Sequence, residues 1–403
     1  MKVVAINSSN TGSTGSIMMG IAKIARERGH LYYTACPKGR TMSKEQDPYH
    51  LFIGSILGRN LHILLGMLSG CPGFFSVIET LAFLRKLKKI QPDIIHLHNL
   101  HDCYINLPLL FRFIKKNDIK VVWTLHDCWA FTGRCPHFVG QNCSKWETGC
   151  RDCPYPIHEY PSRAYDNSRS MWRKKKELFS GIHEATIVAP SKWLAGFVKR
   201  SFLGTYEVRV IYNGIDLSVF KPVDCGFREK HGIESDRPVL LGVASTWNDK
   251  KGLDVFVRLA QCLDDRYVIV IVGTNEALDR YLPERILSIH RTENKQQLAG
   301  IYTAADVFIN PTREETLGLV NIEANACGTP VVTFRTGGSP ECIDDESGVV
   351  VDCDDIDAMR EAIVDICKNH PFSEAGCRKK AADFDRIERY REYVKLYEGM
   401  LTK

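Results

Sequence analysis

Buried strand patterns alternate with helical patterns along the whole chain, and the alternation starts again in its second half. This alternation is typical of a parallel, doubly wound sheet with helices on both faces. Because one hydrophobic core stops growing near about 250–300 residues and this chain has 403, the restart predicts two such domains. We therefore expect an α/β fold whose two domains face a central cleft at the carboxyl ends of their strands.

The predicted elements divide the chain into domains at 1–204 and 205–375 and a helical segment at 376–403, which can cross back to the first domain. Short apolar runs predict strands at 2–6, 31–35, 94–97, 121–125, 186–189, 208–211, 239–243, 268–272, 307–309 and 331–334. Periodic apolar residues predict helices at 16–28, 79–89, 252–263, 295–304, 320–327, 358–368 and 384–402.

Composition and charge exclude several classes of protein. With 44% hydrophobic and 25% charged residues, the chain is neither disordered nor fibrous. Residues 1–200 carry a net charge of +14 and residues 201–403 one of −9, within a total of +5. The basic half favours anionic partners such as lipid headgroups or phosphorylated substrates, although solvated lysines explain its charge equally well. The total is too small to indicate nucleic acid, and we predict no such partner.

Cysteine usage and hydropathy predict the compartment. The chain has 15 cysteines, and no signal-sequence pattern precedes the strand that begins at Lys2. We therefore expect the reducing cytoplasm, where thiols stay free or bind metal. The most apolar stretch, 51–68, contains Arg59, Asn60 and His62, which are costly inside a bilayer. We predict no transmembrane helix.

A loop rich in Gly, Ser and Thr, 8–16, joins the first strand to the first helix. Backbone N–H groups at a helix start suit an anion. A dinucleotide-binding loop has Gly-x-Gly-x-x-Gly and an acid at the end of the second strand, whereas this loop offers Gly12 and Gly15, and no acid occurs at 36–38. Nicotinamide binding is disfavoured, and the loop either contacts another anion or only connects.

The segment 311–324 contains two glutamates eight positions apart, Glu315 in a loop and Glu323 on the following helix. The first helical turn, near Gly318 and Leu319, presents N–H groups to an anion. Carboxylates accept hydrogen bonds from vicinal diols such as those of a ribose or a hexose. The pattern suits a diphosphate joined to two sugars, although an isolated pair of glutamates is more often a solvated helix surface.

This segment reads Pro-Thr-x-x-Glu-x-x-Gly-Leu-x-x-x-Glu-Ala and is followed by Gly-Thr-Pro-Val-Val at 328–332. It resembles the nucleotide-sugar half-site of retaining GT-B glycosyltransferases of family 4. Further segments match that family in order, over nearly the whole chain: 93–99, 124–127, 189–191, 211–216, 251–254 and 337–341. The resemblance implies two Rossmann-like domains and transfer from a nucleoside-diphosphate sugar with retention of the anomeric configuration.

The resemblance also implies roles for matching residues. Glu323 would hold the donor ribose, Glu315 the hydroxyls of the transferred sugar, and Lys251 the leaving diphosphate. Gly15 would let the first loop approach the donor closely, and His126 would contact the donor sugar from the first domain. Lys251, Glu315 and His126 are therefore the candidate catalytic residues. The amides on the distal phosphate would be those of Thr316, Leu317, Gly318 and Leu319.

One position departs from the family pattern. Members usually carry an arginine about five residues before the lysine, where this chain has Ser245, Thr246 and Trp247. The departure weakens the expected phosphate clamp. We expect Lys250, or a basic residue of the first domain, to replace that arginine.

Two acidic segments resemble metal ligands. Asp352-x-Asp354 and Asp355-x-Asp357 directly precede the helix predicted at 358–368. Acids in that position cap a helix and complement its dipole. We interpret them as caps and predict that catalysis needs no metal cofactor.

A Cys- and Trp-rich insert occupies about 128–156. Cys135, Cys143, Cys150 and Cys153 end in Cys-x-x-Cys and predict a structural zinc site that ties down a long loop. Because a second Cys-x-x-Cys is missing, free packed thiols explain the cluster equally well, and disulfides less well. An insert of this kind is similar to one in family 4 members that build bacterial exopolysaccharides and capsules.

The acceptor is predicted to be a saccharide or a polyprenyl-pyrophosphate-linked saccharide. The basic half combines cationic runs at 85–89, 112–116 and 173–176 with apolar segments at 51–68 and 74–84. These predict peripheral contact with an anionic membrane at its cytoplasmic face, the alternative being a freely soluble basic lobe. Two other functions stay open: a nucleotide-sugar epimerase or phosphorylase of the same fold, and a non-catalytic binding protein.

Overall fold

The computed structural model describes residues 1–39, 47–156 and 165–402. The chain folds into two units, and we call Met1–Ile211 with Arg389–Lys403 unit 1 and Tyr212–Glu388 unit 2. Each unit contains one parallel sheet whose strands are joined by helices. This arrangement confirms the predicted α/β, doubly wound fold class.

The sheet of unit 1 has seven parallel strands. They are β1 (Lys2–Ile6), β2 (Leu31–Pro37), β3 (His50–Ile53), β4 (Ile94–Leu97), β5 (Lys120–Thr124), β6 (Ala185–Ala189) and β7 (Glu207–Val210). Their order is β3-β2-β1-β4-β5-β6-β7, so the order reverses between β1 and β4. Ligands of open α/β sheets bind beyond the carboxyl ends of the strands at such a reversal.

Six helices follow strands of this sheet. They are α1 (Gly12–Glu27), α2 (Ile56–Ser69), α3 (Val77–Ile90), α4 (Leu107–Lys116), α5 (Ser168–Phe179) and α6 (Lys192–Arg200). The sequence of α4 explains why it forms: the side chain of Asn106 caps its start by accepting a hydrogen bond from the Leu109 amide at 3.0 Å. Its apolar residues repeat every three or four positions, so one stripe is buried against the sheet.

Unit 2 has a sheet of six parallel strands in the order β10-β9-β8-β11-β12-β13. They are β8 (Val239–Val243), β9 (Val268–Val272), β10 (Ile286–Ile289), β11 (Val307–Asn310), β12 (Val331–Phe334) and β13 (Gly348–Val351). Its helices are α7 (Phe227–Lys230), α8 (Leu253–Cys262), α9 (Glu276–Asp279), α10 (Lys295–Ala304), α11 (Leu319–Ala326), α12 (Ile356–Asn369) and α13 (Glu374–Ala382). Here the order reverses between β8 and β11.

The last helix, α14 (Arg386–Leu401), begins in unit 2 and belongs to unit 1 from Arg389 onward. Its tyrosines are buried in unit 1. The hydroxyl of Tyr397 lies 2.7 Å from Nδ1 of His96 on β4, and Tyr393 accepts a hydrogen bond from Thr124 on β5 at 3.2 Å. The end of the chain therefore returns to the first unit, as the sequence predicts.

Three strands were not predicted, namely β3, β10 and β13. All three lie at an edge of their sheet, and their residues are mostly half-exposed. A strand that is open on one side lacks the continuous apolar run that marks a buried strand. The strands at 2–6, 94–97, 239–243, 268–272 and 331–334 have the predicted bounds.

Within the described residues, the helices are all too short or too polar to cross a membrane.

Candidate active site

The segment 311–324 forms a loop after β11 and then helix α11, as its sequence predicts. Lys251, which follows β8, places Nζ 2.9 Å from Oε2 of Glu315. The amide of Thr316 donates a hydrogen bond to Oε1 of the same carboxylate at 3.1 Å. The structure therefore brings the predicted lysine and glutamate together where the strand order of unit 2 reverses.

Contacts between two loops hold the lysine in this position. The amide of Arg313 donates to the carbonyl of Lys250 at 2.8 Å, and its guanidinium binds both carboxylate oxygens of Asp254 at 2.8 Å each. Because Asp254 stands in the first turn of α8, Arg313 ties the start of that helix to the acidic loop. Lys250, the expected substitute for the missing arginine, has Glu314 as a partner at 3.1 Å.

The segment that replaces the family arginine packs instead of carrying charge. Ser245 and Thr246 are exposed, whereas Trp247 is buried. The indole N–H of Trp247 donates to the carbonyl of Val272 at 2.9 Å, and its ring lies 5.3 Å from that of Phe256. A cation for a diphosphate at this point of unit 2 must come from another position.

Glu323 is half-buried on α11, where the hydroxyl of Tyr302 donates to its Oε2 at 3.2 Å. Loss of water around the carboxyl raises the pKa of Glu323 to about 7, and the Tyr302 hydrogen bond and the charge of Lys295 offset this only in part. A ligand that donates hydrogen bonds to the carboxylate, as a vicinal diol does, favours its ionised form.

The four residues with predicted phosphate-binding amides differ in their surroundings. The amide of Thr316 already donates to Glu315. The side chain of Leu317 is in the core of unit 2. Gly318 is the N-cap of α11 with φ of 93°, and Leu319 is its first residue, so these two lie where helical N–H groups lack helical partners. The amides suited to an anion are therefore those at the helix start.

Two polar atoms beside Gly318 were not anticipated from the sequence. A Cβ on Gly318 would lie 3.2 Å from Oγ of Ser339 and 3.3 Å from Nδ2 of Asn321. Both atoms are buried and lack a hydrogen-bond partner within the described ranges. Because an unpaired buried polar atom is costly, these two are candidate donors to a bound group.

The Gly-rich segment 337–341 lies close to the loop between β11 and α11 that carries Glu315. Gly337 has a φ of 56°, and a Cβ at this position would overlap the carbonyl oxygen of Glu315. Only glycine tolerates both conditions. The glycine therefore fixes the backbone path beside Glu315.

The acidic residues before α12 serve two purposes rather than one. Asp355 caps α12 as predicted and accepts a hydrogen bond from its first turn at 2.9 Å. Asp352 instead pairs with Arg335 at 2.9 Å, and Asp354 with Arg313 at 2.7 Å. Arginines compete with the helix for these carboxylates, so the interpretation of the whole segment as caps is wrong for Asp352 and Asp354.

In unit 1, Gly15 lies in the first turns of α1 and is buried. A Cβ on Gly15 would lie 2.5 Å from the carbonyl carbon of Asn10. The glycine therefore lets the loop after β1 fold back onto its own helix. Its predicted approach to the donor stays a prediction.

His126 stands just after β5 in unit 1. Its Nε2 lies 3.0 Å from Nδ1 of His98, and the two rings are stacked. Burial lowers the pKa of His126 to about 4 and that of His98 below its usual range. His126 is therefore a neutral imidazole near pH 7, able to donate or accept a hydrogen bond but without charge.

His101, a charged residue near His126, was missed by the sequence analysis. His101 is 3.2 Å from Asp102 and 3.2 Å from Asp127. Burial acts to lower the pKa of His101, but its contacts with the two carboxylates outweigh burial and raise it to about 10. The only sequence signal was the position of His101 shortly after β4, at the carboxyl edge of the sheet.

Lys175 on α5 corrects the prediction that the run 173–176 lies on the surface. It is fully buried, and its Nζ donates to the carbonyls of Trp129 at 2.7 Å and Thr132 at 3.0 Å. Burial lowers the pKa of Lys175 to about 7. The amine is an internal support for the loop after β5, because it supplies donors that this loop lacks.

The four predicted zinc ligands line one cavity in unit 1: Cys135, Cys143, Cys150 and Cys153. Burial raises the pKa of Cys135 to about 12 and that of Cys150 to about 11. In the part of the chain that the structure describes, no group of three or more His, Cys, Asp or Glu side chains has the arrangement to hold a metal ion, and the cysteines are free. The zinc site stays a prediction.

Two parallel, doubly wound units are the fold that the chain shares with GT-B glycosyltransferases. Residues 16–219 match the model of Glycosyltransferase Family 4, and residues 237–369 match that of Glycosyl transferases group 1. Because the first match spans half of the chain, the chain belongs to glycosyltransferase family 4.

One curated relative and two solved structures illustrate what the chain is similar to. WcaC of Escherichia coli K12, assigned to colanic acid biosynthesis as a glycosyl transferase, is 26% identical over 327 residues, 77% of each chain. The sucrose-phosphate synthase of Thermosynechococcus elongatus has a TM-score of 0.73 at 18% identity, over 100% of this chain and 99% of its own. HepE of Anabaena, solved with UDP-glucose, has a TM-score of 0.65 at 13% identity, over 99% and 100%.

Proposed function

We propose that the protein transfers a sugar from a nucleoside-diphosphate sugar to a saccharide or polyprenyl-pyrophosphate-linked acceptor, with retention of configuration, during assembly of a bacterial surface polysaccharide. The observation that carries this proposal is the 2.9 Å pair of Lys251 and Glu315 beside the start of α11. A diphosphate needs a cation and a sugar needs a hydrogen-bond acceptor, and this pair supplies both.

In this proposal, Glu323 accepts hydrogen bonds from the ribose of the donor and Glu315 from the sugar. Lys251 then exchanges its glutamate partner for the diphosphate and neutralises the charge that develops as the bond between the anomeric carbon and the phosphate oxygen breaks. The amides of Gly318 and Leu319 bind the distal phosphate. His126, neutral and in unit 1, offers a hydrogen bond to the donor sugar.

Retention follows if the acceptor oxygen attacks the anomeric carbon on the face that the phosphate leaves. The proton of the acceptor hydroxyl passes to the departing phosphate oxygen, and no enzyme carboxylate forms a bond to the sugar. The reaction needs no metal cofactor in this scheme, because Lys251 and helix N–H groups neutralise the phosphate. Asp352 and Asp354 pair with arginines, which agrees with a scheme in which these carboxylates do not bind a metal.

Two similarities support the proposal, the first its biological setting and the second its nucleotide-sugar donor. WcaC is assigned to colanic acid, an exopolysaccharide, and HepE was solved with UDP-glucose. We propose a site of action at the cytoplasmic face of the cell membrane, where lipid-linked acceptors are available.

The experiment compares Glu323→Ala with Glu315→Ala by calorimetry. Each variant is titrated with UDP, GDP and ADP and with the corresponding UDP-, GDP- and ADP-sugars. Ribose contacts persist in a free nucleotide, whereas sugar contacts need the intact donor. Glu323→Ala should therefore weaken nucleotide binding more than Glu315→Ala does, and equal losses would contradict the assignment.

A second measurement separates the alternatives. Nucleoside diphosphate released only when acceptor is added indicates transfer. Turnover of the nucleotide sugar when no acceptor is present indicates a phosphorylase or an epimerase instead. Full biological activity in a folded Glu315→Gln protein would indicate a non-catalytic role.

A further inference from the structure

Large apolar side chains are exposed mainly in one part of unit 1. Fourteen large hydrophobic residues are exposed in the described chain. Nine of them lie within residues 52–81, which contain β3, α2 and the start of α3: Phe52, Ile56, Leu57, Leu61, Leu64, Leu68, Val77, Ile78 and Leu81. Single exposed apolar residues are normal, but a cluster marks an interaction surface.

On α2 the exposed leucines form one stripe. Leu57, Leu61, Leu64 and Leu68 are spaced by four, three and four positions and therefore share one face of the helix. Leu57 is 81% exposed. The opposite face packs on unit 1 through His62 and Gly66, the buried residues of α2. The packing of the helix is thus satisfied without the leucines.

On α3 the exposed face changes from apolar to cationic along the helix. Ile78 is 80% exposed, and the exposed residues Arg85, Lys88 and Lys89 follow on the same side at helical spacing. The distance from Ile78 to Lys89 along the axis is about 16 Å at 1.5 Å per residue. These three cations form no ion pair within the described ranges.

We propose that this face of unit 1, formed by α2 and α3, docks on an anionic lipid bilayer. The charge selects this occupant: the exposed face of α2 carries no acid, and no carboxylate in the part of the chain that the structure describes pairs with Arg85, Lys88 or Lys89 of α3. Leucines enter the boundary of headgroups and acyl chains, while long cationic side chains reach the phosphates. The inference names the surface that would hold the protein at the membrane face given under the proposed function, and vesicle binding tests it independently of sugar transfer.

The surface differs from the one predicted from the sequence. In the run 173–176, Lys175 is inside unit 1 and cannot contact a membrane, whereas Arg173 and Lys176 are exposed. The run 85–89 remains, although Leu87 within it is buried. The apolar segments contribute their outward faces only.

The test is flotation of the full chain with vesicles of phosphatidylcholine plus phosphatidylglycerol, and with phosphatidylcholine alone. The protein should float with the anionic vesicles at low salt and be released at high salt. Leu57→Gln/Leu61→Gln/Leu64→Gln should lower the partition coefficient by at least about tenfold. Arg85→Gln/Lys88→Gln/Lys89→Gln should lower it by about fivefold per cation.

Matched controls lie in unit 2. Lys221→Gln/Lys230→Gln/Arg291→Gln removes the same charge, and Tyr281→Gln removes a side chain that is 82% exposed. Both should float like the parent protein. Since all these positions are exposed, unfolding temperatures should be unchanged, and they are measured for each variant.

Two results would overturn the proposal. One is flotation that the leucine variant does not reduce. The other is absence of flotation with the anionic vesicles at low salt. A dimer, seen by sedimentation, that the leucine variant dissociates would then make the face a contact between two copies.

Discussion

The polar centres of the two units are built by different means. In unit 2 the side chains are charged and paired across neighbouring loops, as with Lys251 and Glu315 at 2.9 Å. In unit 1 His126 and His98 are neutral, and their rings stack on each other beyond the ends of β5 and β4. The charged His101 lies between two carboxylates. In the proposed mechanism a phosphate must therefore displace Glu315 from Lys251 in unit 2, whereas unit 1 offers the neutral imidazole of His126.

The largest expected effect tests the charged centre. Lys251→Ala should lower kcat by roughly two orders of magnitude, because transition-state stabilisation of about 3 kcal/mol is lost. Steady-state kinetics with the donor identified by calorimetry would measure it. Lys230→Ala, at an exposed lysine of α7, is the control. Lys250→Ala is measured beside it, and the roles of Lys250 and Lys251 are exchanged if that variant loses more activity than Lys251→Ala.

The second effect concerns the stability of unit 1. Lys175→Met should lower the free energy of unfolding by about 2 kcal/mol, because the carbonyls of Trp129 and Thr132 lose their donor. Since the folded pKa of Lys175 is lowered from 10.5 to about 7, the folded state binds fewer protons than the unfolded state between these values. The parent protein therefore gains stability as pH rises through this window, and the variant lacks that gain.

Urea unfolding at about pH 7 and about pH 9 measures this difference, with Lys176→Met on the exposed side of α5 as the control. The deficit of Lys175→Met should grow with pH. A deficit independent of pH would mean that the amine is not held with a depressed pKa.

The smallest expected effect is on the pH dependence of nucleotide affinity, which distinguishes Glu323 in unit 2 from His126 in unit 1. With the pKa of Glu323 near 7, affinity for nucleotide should rise about tenfold between about pH 6 and pH 8 as the carboxylate ionises. Glu323→Gln should remove that part of the pH dependence and retain the part due to the phosphate of the ligand. His126→Asn should leave the profile unchanged, because the pKa of His126 is about 4; a profile altered by His126→Asn instead would assign the titration to unit 1.

The sequence predicted the fold well where strands are buried on both faces. Continuous apolar runs such as 94–97 and 268–272 coincide with β4 and β9. Edge strands such as β3 and β10 escaped prediction because their residues are partly exposed and their partners are not visible in a local pattern.

Of the candidate site, the part encoded by one short segment was predictable. Glu315 and its neighbours are close in sequence, and the family motif supplied Lys251. Contacts between distant residues were not: Arg313 binds Asp254 from 59 positions away, and His96 contacts Tyr397 from 301 positions away. Burial of Lys175 was also hidden, because its neighbours Lys174 and Lys176 are cationic as well and neither is buried.

The position of α14 has a consequence for how the protein is made. The chain leaves unit 1 at Ile211 and returns to it only at Arg389, so all of unit 2 has been synthesised before the last helix of unit 1 exists. Domains usually fold in the order of synthesis, but here the unit that is translated first must wait until α14 has been translated. Until then its surface over His96 and Thr124 is uncovered, and a message truncated just before the codon for Arg389 damages the unit that it encodes first.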